Sequence, residues 1–492
     1  MTKDIGPWAL IAIAFNVCNS WAGLTGTLNI SLFQGGPVAL VYGLLLSSSL
    51  YGCIALTIAE LACAYPTAGG QYHFVSILAP IKFCRSLSYT CGMITNFSWI
   101  ATGAAINMIF SEELMTLIMF NHPDFIPHPW HQFLFYQAVF LCISVFFGSF
   151  LAILIRSSPR ASSQFVWTTF INQTGWPDGV CFITSLLTPC FIYSGLDAAL
   201  HLAEEVPNPR VAVPQACLSA VTIGFLTSFV YLIAVLYTIV DLDSIRAFDG
   251  FVVHLTWILR CYTEKYNRFL PFELSRQALR SDGGAVAILI LSIGMTFFIL
   301  NAVLQTASWL TWALAKDNAL MFSDIIQKVH PHLGVPISSL IFNTASMALC
   351  GCIYLASSTG MRTTLIMPMI YAQMLTHPFC WWIAFNAIIG SCVVLQQLSY
   401  LMPTILLIYR QRSEEFLPRD RTFRLRAWIG WLVNIWVLIV TSTSMPFFFL
   451  PPFLPVSAST MSKFVACAIP WSQKRPKEKN KNANMCKTII VL

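Results

Sequence analysis

Four residues in one stretch of the chain have the types and spacing to do chemistry: Asp197, His201, Glu204 and Glu205. Their spacing of i, i+4, i+7 and i+8 lines one stripe of a helix. A carboxylate inside a bilayer-length apolar run is costly and marks a functional position by default. Asp197 is therefore expected to hold a substrate charge, the other reading being a cap for a break in the helix before it. Imidazole titrates near neutrality, so His201 could relay protons or simply hydrogen-bond within the packing. At about 1.5 Å per residue, Glu205 lies roughly 12 Å along the axis from Asp197. Glu204 and Glu205 are thus expected at the mouth of a site, in a gate or a surface ion pair. Lys316, which follows TWALA, is the candidate partner.

The segment that carries Asp197, SLLTPCFIYSGLDAALHLAEEVPNP, is apolar but interrupted at Tyr193, Ser194 and Gly195. A second such segment, FNVCNSWAGLTGTLNISLF from Phe15 to Phe33, holds Asn16, Asn19, Ser20, Gly23, Thr25, Gly26 and Thr27 near its centre. Gly23 and Gly26 lower the cost of leaving helical geometry, and unwound backbone survives at membrane depth only where it lines a cavity. The alternative is a small-residue face for helix packing. Two interrupted spans point to inverted repeats around a midplane site. N–H groups around Gly23 to Gly26 would suit a carboxylate, and carbonyls near Tyr193 an amine. A quaternary ammonium would need aromatic faces instead, for which Trp21, Trp99 and Tyr193 are candidates against a background of ordinary aromatic packing.

Those elements belong to a polytopic membrane protein. Of 492 residues 57% are hydrophobic and 10% charged, with mean hydropathy +0.69, which leaves no room for a large soluble domain. The net charge of +7 is spread over short loops and a tail, so nucleic acid is not an expected partner. The 16 cysteines are scattered without a CxxC pair, so neither disulfides nor a metal site is expected. No HExxH, GxSxG or Walker sequence occurs, so no catalytic residue is assigned and an intramembrane enzyme is the weaker class. No cofactor is expected. Residues 1–7 are too short for a cleavable signal, and the first helix should remain as an anchor.

Hydropathy places candidate spans at 8–33, 38–63, 86–110, 132–155, 180–203, 213–240, 285–314, 336–357, 382–409 and 427–451. Residues 361–381, broken by Pro368 and Pro378, make a poor span. Lys82 and Arg85 put the loop after the second span in the cytoplasm, whereas loop 111–131, with Glu112, Glu113 and Asp124, lies outside. The six arginines of loop 410–426 make it cytoplasmic too. Counting forward from the N-terminus puts loop 156–179 inside, and counting back from 410–426 puts it outside, a conflict of one crossing. Asn172-Gln173-Thr174 in that loop is a glycosylation sequon. Residues 462–492 form a basic tail with the composition of disorder.

The chain resembles the fungal amino-acid/choline transporters of the amino-acid/polyamine/organocation superfamily, which includes choline, GABA and general amino-acid permeases. The resemblance rests on GGPVALVYG (35–43), AELACAYPTAGGQYHF (59–74), INQTGWPDG (171–179), SGLDAALHLAEEVPNPRVAVPQA (194–216), TWALAKDNAL (311–320), VHPHLGVPISSL (329–340) and FFFLPPFLPVSASTM (447–461). It implies an all-α, LeuT-type inverted-repeat fold of twelve helices in one domain over 1–461. It places the site at Trp21 to Gly26 of the family's first helix and Tyr193 to Asp197 of its sixth, to which the span at 180–203 corresponds. The binding set is then Trp21, Gly23, Thr25, Gly26, Trp99, Tyr193, Gly195 and Asp197, with Glu204, Glu205 and Lys316 as gate.

This chain departs from the family by showing one helix length where two are usual near 140–160, by insertions at 247–270 and 361–381, and by lacking the twelfth helix. About 10–11 spans are expected. The function implied is a secondary, proton-coupled permease for choline, GABA or an amino acid, working by alternating access in the plasma membrane. The alternative is a degenerate family member that does not transport, or one that only binds.

Overall fold

The fold is that of a computed structural model, which describes residues 6–18, 20–121, 161–239, 270–279, 281–330, 336–363, 371–419 and 421–450. The expected span at 132–155, all but the last residue of the 247–270 insertion, residues 364–370 of the 361–381 insertion and the 462–492 tail lie outside the described residues. The described residues are all-α apart from one two-residue pairing, as expected. In chain order the helices are α1 (Pro7–Cys18), α2 (Ser20–Phe33), α3 (Gly36–Ala64), α4 (Gln71–Leu78), α5 (Cys84–Asn121), α6 (Ser163–Thr168), α7 (Asp178–Ser185) and α8 (Leu187–Phe191). They continue as α9 (Ala198–His201), α10 (Pro209–Thr238), α11 (Leu270–Leu279), α12 (Asp282–Lys316), α13 (Ser323–Ile326), α14 (Ile337–Thr363), α15 (Tyr371–Tyr409) and α16 (Ala427–Ser444). Seven helices among the described residues are long and apolar enough to cross a bilayer, and two shorter apolar helices, Asp178–Phe191 and Ile337–Gly351, accompany them.

Three sequence expectations change. Gly23 and Gly26 do not unwind the first span: α2 is helical from Ser20 to Phe33, and Thr25 and Thr27 donate to the carbonyls four residues back, Trp21 at 2.9 Å and Gly23 at 2.8 Å. Asn19, between α1 and α2, lies outside the described residues. The third span does not end at 110, because α5 runs on to Asn121 and takes Glu113 into the interior. Finally, α15 is helical from Tyr371 through Pro378, so part of the poor-span stretch extends a spanning helix.

The helix ends sort into two sets. At one end Tyr65 Oη donates to the Phe416 carbonyl at 2.9 Å, Arg410 Nε to the Leu78 carbonyl at 2.7 Å, and Thr422 Oγ1 to the Arg210 carbonyl at 3.0 Å. Loops 65–83, 202–208 and 413–426 therefore share this end, which the basic residues of 410–426 mark as cytoplasmic. At the other end Gln34–Gly35 (β1) pairs antiparallel with Ile171–Asn172 (β2). Ala161 N donates there to the carbonyl of Tyr237, at 2.8 Å. Loop 161–178 is thus opposite loop 65–83, as the count back from 410–426 requires.

Candidate functional site

The sixth span is built as three pieces. Helices α7 and α8 end at Phe191, residues 192–197 form consecutive turns, and α9 resumes at Ala198. The break expected at Tyr193 to Gly195 is therefore present. Gly195 makes it possible, since its φ of +92° is a conformation that side-chain-bearing residues rarely adopt. A Cβ on Gly195 would also lie 2.4 Å from Val17 Cγ1. Helix α2 is stitched along these pieces by three hydroxyls. Ser20 donates to the Ile192 carbonyl at 3.1 Å, Ser31 to the Ser185 carbonyl at 2.6 Å, and Thr188 to the Thr27 carbonyl at 2.9 Å. The carbonyls of Ile192 and Ser185, at the interruptions of the span, are in this way satisfied inside the protein.

Asp197 is fully buried and accepts five hydrogen bonds. Its Oδ2 takes Gln71 Nε2 at 2.7 Å, His201 Nε2 at 3.1 Å and Trp99 Nε1 at 3.3 Å. Its Oδ1 takes Tyr400 Oη at 2.8 Å and Gln396 Nε2 at 3.3 Å. His201 Nδ1 faces the Ala68 carbonyl at 2.9 Å, so the ring is tied at both nitrogens, to the backbone on one side and to Asp197 on the other. The donors come from four elements: α4, α5, α9 and α15. Gly70, with φ +54°, brings the backbone against this cage, where a Cβ would be 3.3 Å from His201 Cε1. The AGGQ of the 59–74 motif is explained by this: Ala68 and Gln71 bond the Asp197–His201 pair and Gly70 clears room for it.

A cavity of about 30 Å³ sits beside this cage, between α1 and α2 (Val17, Cys18, Ala22, Gly23), α5 (Thr102, Ile106, Ile109), Phe191 and Ser194 of the sixth span, and Thr296 and Ile299 of α12. It brings together Gly23 of the first broken-span candidate and Ser194 of the second. Its volume suits about two waters, so a solute of choline size enters only after the surrounding helices move. Trp21, Trp99 and Tyr193 do not line it, and each packs elsewhere: Trp21 against Tyr231 with ring centres 5.4 Å apart, Trp99 on Asp197, and Tyr193 stacked on Tyr51 at 5.2 Å with its hydroxyl 2.6 Å from Ser48 Oγ. Thr25 Oγ1 lies 2.7 Å from Tyr231 Oη, and Gly26 abuts Ile109, whose side chain is 2.8 Å from where its Cβ would be.

The family model described as amino acid permease matches residues 5–155 and 138–471. The chain belongs to the amino acid permease family. A choline transporter of Saccharomyces cerevisiae is 30% identical over 489 residues, covering 94% of this chain and 78% of the relative. A swainsonine transporter of Arthroderma benhamiae is 26% identical, covering 95% and 88%. The amino-acid permease BAT1 of Arabidopsis thaliana is 24% identical, covering 94% and 88%. Among solved structures, a manganese transporter of Eremococcus coleocola aligns with a TM-score of 0.48 at 15% identity, covering 94% of this chain and 92% of that one. Family membership brings the expected multi-pass transporter fold with it.

At the cytoplasmic mouth of this permease, Lys316 Nζ stands 3.6 Å from Glu204 and 4.9 Å from the Trp312 ring centre. Next to it Tyr72 Oη donates to Asp317 at 2.8 Å. Burial and the Asp317 carboxylate push the Tyr72 phenol above its ordinary range, so it stays a neutral donor. Glu205 follows in a short 3₁₀ turn rather than on a continuous helical stripe. Sequence reasoning missed one strong feature here. Glu60, fully buried at the end of α3, pairs with both Arg412 and Arg421. The signal was the one carboxylate of the 59–74 motif facing an arginine-rich loop.

Proposed function

We propose that this chain is a secondary permease for a small nitrogenous solute, choline, GABA or an amino acid, coupled to protons and working by alternating access. The observation that carries this reading is the cavity shared by Gly23 and Ser194, at the point where the sixth span is unwound. Hydroxyls of Thr102, Ser194 and Thr296 supply the polar lining and the rest is apolar, which fits a small solute with one compact polar group and a methylene or methyl body. Similarity to a choline transporter and to amino-acid permeases supports this solute class.

Within this reading the binding set divides. Gly23 and the Ser194–Gly195 turn meet the solute, and Asp197 holds that turn in place through its five-donor cage. Trp21, Thr25, Gly26, Trp99 and Tyr193 shape the walls and come closer when the helices part. Glu204, Glu205 and Lys316 form the inner gate, and the protein resides in the plasma membrane. Uptake of radiolabelled choline, GABA and individual amino acids into proteoliposomes under an imposed proton gradient tests it. Accumulation above the equilibrium level of one of these solutes, collapsed by a protonophore, is the expected result. Equilibration without accumulation would remove the proton coupling, and entry no faster than into protein-free liposomes for all of them would remove the transport reading.

A further inference from the structure

Among the described residues Glu113 is a buried carboxylate near the cavity that the cage around Asp197 does not explain. It lies on α5 with 1% of its surface exposed. Its Oε1 accepts from Ser292 Oγ of α12 at 2.5 Å, while its Oε2 has no hydrogen-bond partner. Its place relative to the cavity follows from helix geometry. Ile109 is one turn before Glu113 on α5, Thr296 is one turn after Ser292 on α12, and both Ile109 and Thr296 line the cavity. Because α5 runs from the cytoplasmic end at Cys84 outward to Asn121, Glu113 sits one turn outward of the cavity, in the seam between α5 and α12.

Its other neighbours offer little to balance a charge. Leu117 and Phe120 of α5 pack against Phe272 of α11 and Ala285 and Leu289 of α12 on the outward side. The titratable groups around it are Glu112 on its own helix and the Tyr231 phenol of α10, which acts on it electrostatically. Arg276 of α11 is exposed. Among the described residues no ion pair reaches Glu113. Two hydroxyls face the carboxyl, Ser292, which donates to it, and Thr296, whose own hydrogen goes to the Ser292 carbonyl. Without a cation they do not compensate an ionised carboxylate at this depth, so the closed arrangement suits the neutral acid, and ionisation requires the seam to open to water or a cation.

We infer that Glu113 is the coupling-proton site of this permease: its Oε2 takes up a proton when the seam between α5 and α12 is open outward, and gives it up when the cavity opens inward. The inference rests on the proton-coupled reading above. No bond other than the O–H is made or broken, and the proton that enters from one side leaves on the other. Ser292 acts as a positioning residue that holds Oε1 and leaves Oε2 free. Loading the carboxyl is what lets the seam close, because closing it over a charge would bury that charge without a partner.

The test uses the full chain in liposomes and two readouts. The first needs no substrate: infrared difference spectra between acidic and alkaline buffer, which report carboxyl protonation through the C=O stretch of the acid. A carboxyl band that titrates in the wild type should be lost in Glu113→Gln, move in frequency in Glu113→Asp, and titrate at a different pH in Ser292→Ala. The second is transport of radiolabelled choline, GABA or amino acid. Glu113→Gln should exchange labelled for unlabelled solute but lose accumulation driven by the proton gradient and lose the pH dependence of exchange. An unchanged carboxyl band in folded Glu113→Gln, or retained gradient-driven accumulation, would overturn the assignment. If Glu113→Gln does not fold, a band in Glu113→Asp unmoved from the wild type overturns it equally. A wild type without gradient-driven accumulation overturns the proton-coupled reading instead, and the infrared band then separates that failure from failure of the protonation site.

Discussion

Ser20 Oγ donates to the carbonyl of Ile192 across 3.1 Å, tying the start of α2 to the first turn of the unwound stretch in the sixth span. The two residues are 172 positions apart in the chain, and the bond links the two segments that each half of the sequence marks as special. Replacing it, Ser20→Ala, leaves a buried carbonyl short of a donor and should lower stability by about 1 kcal/mol. A fall in the unfolding midpoint of detergent-purified protein, together with a raised KM for uptake, is the expected result.

Asp197→Asn should act on the fold before it acts on solute affinity. An amide cannot accept from five donors, and it leaves the His201 ring facing a neutral group. Removing one partner from such a buried pair costs about 3–5 kcal/mol. The fraction of monodisperse protein should fall in step with uptake, whereas a counter-charge touching only solute would change KM at unchanged yield.

Gly195→Ala meets two obstacles, a left-handed backbone and the Val17 side chain 2.4 Å from the new Cβ. The backbone alone costs about 1–2 kcal/mol. Pairing it with Val17→Ala should relieve the clash but not the backbone, so the double variant recovers only part of the lost yield. Gly23→Ala is different in kind, because its Cβ would meet nothing nearer than 3.6 Å. It should fold normally and reduce uptake by filling the cavity.

Glu60→Gln should be among the most damaging single changes at the cytoplasmic end, because Arg412 and Arg421 are both buried against that carboxylate. A loss of about 3–5 kcal/mol follows from uncompensated buried charge. By contrast the Lys316–Glu204 pair is 55% and 33% exposed, and a double-mutant cycle there should show a coupling of about 0.2–1 kcal/mol that shrinks with salt.

The relation of loops can be read directly in membranes. A thiol introduced as Thr168→Cys should react with an impermeant reagent from the side opposite to Lys328→Cys, measured above the labelling of the native cysteines. Labelling of both from the same side would contradict the arrangement in which loop 161–178 adjoins Gln34–Gly35.

The sequence by itself determined the class of protein, most of the spans and the break at Tyr193 to Gly195. Hydropathy over a bilayer's length and a glycine beside a carboxylate are local signals that hold whatever the rest of the chain does. Its ordered motifs also sufficed to identify the family. What only the tertiary structure decided was the use of each polar residue. Gly23 and Gly26 looked like a hinge, yet both lie within helix α2, where the missing side chain of Gly26 lets the helix approach Ile109 and Gly23 borders the cavity. Asp197 looked like a ligand for solute, yet its donors arrive from Gln71, Trp99, Gln396 and Tyr400, at positions no periodicity connects. Glu113 looked like loop charge, yet α5 continues through it and buries it against α12, where the Ser292 hydroxyl donates to it. Such pairings depend on which helices become neighbours, and that is set by the packing of the whole bundle.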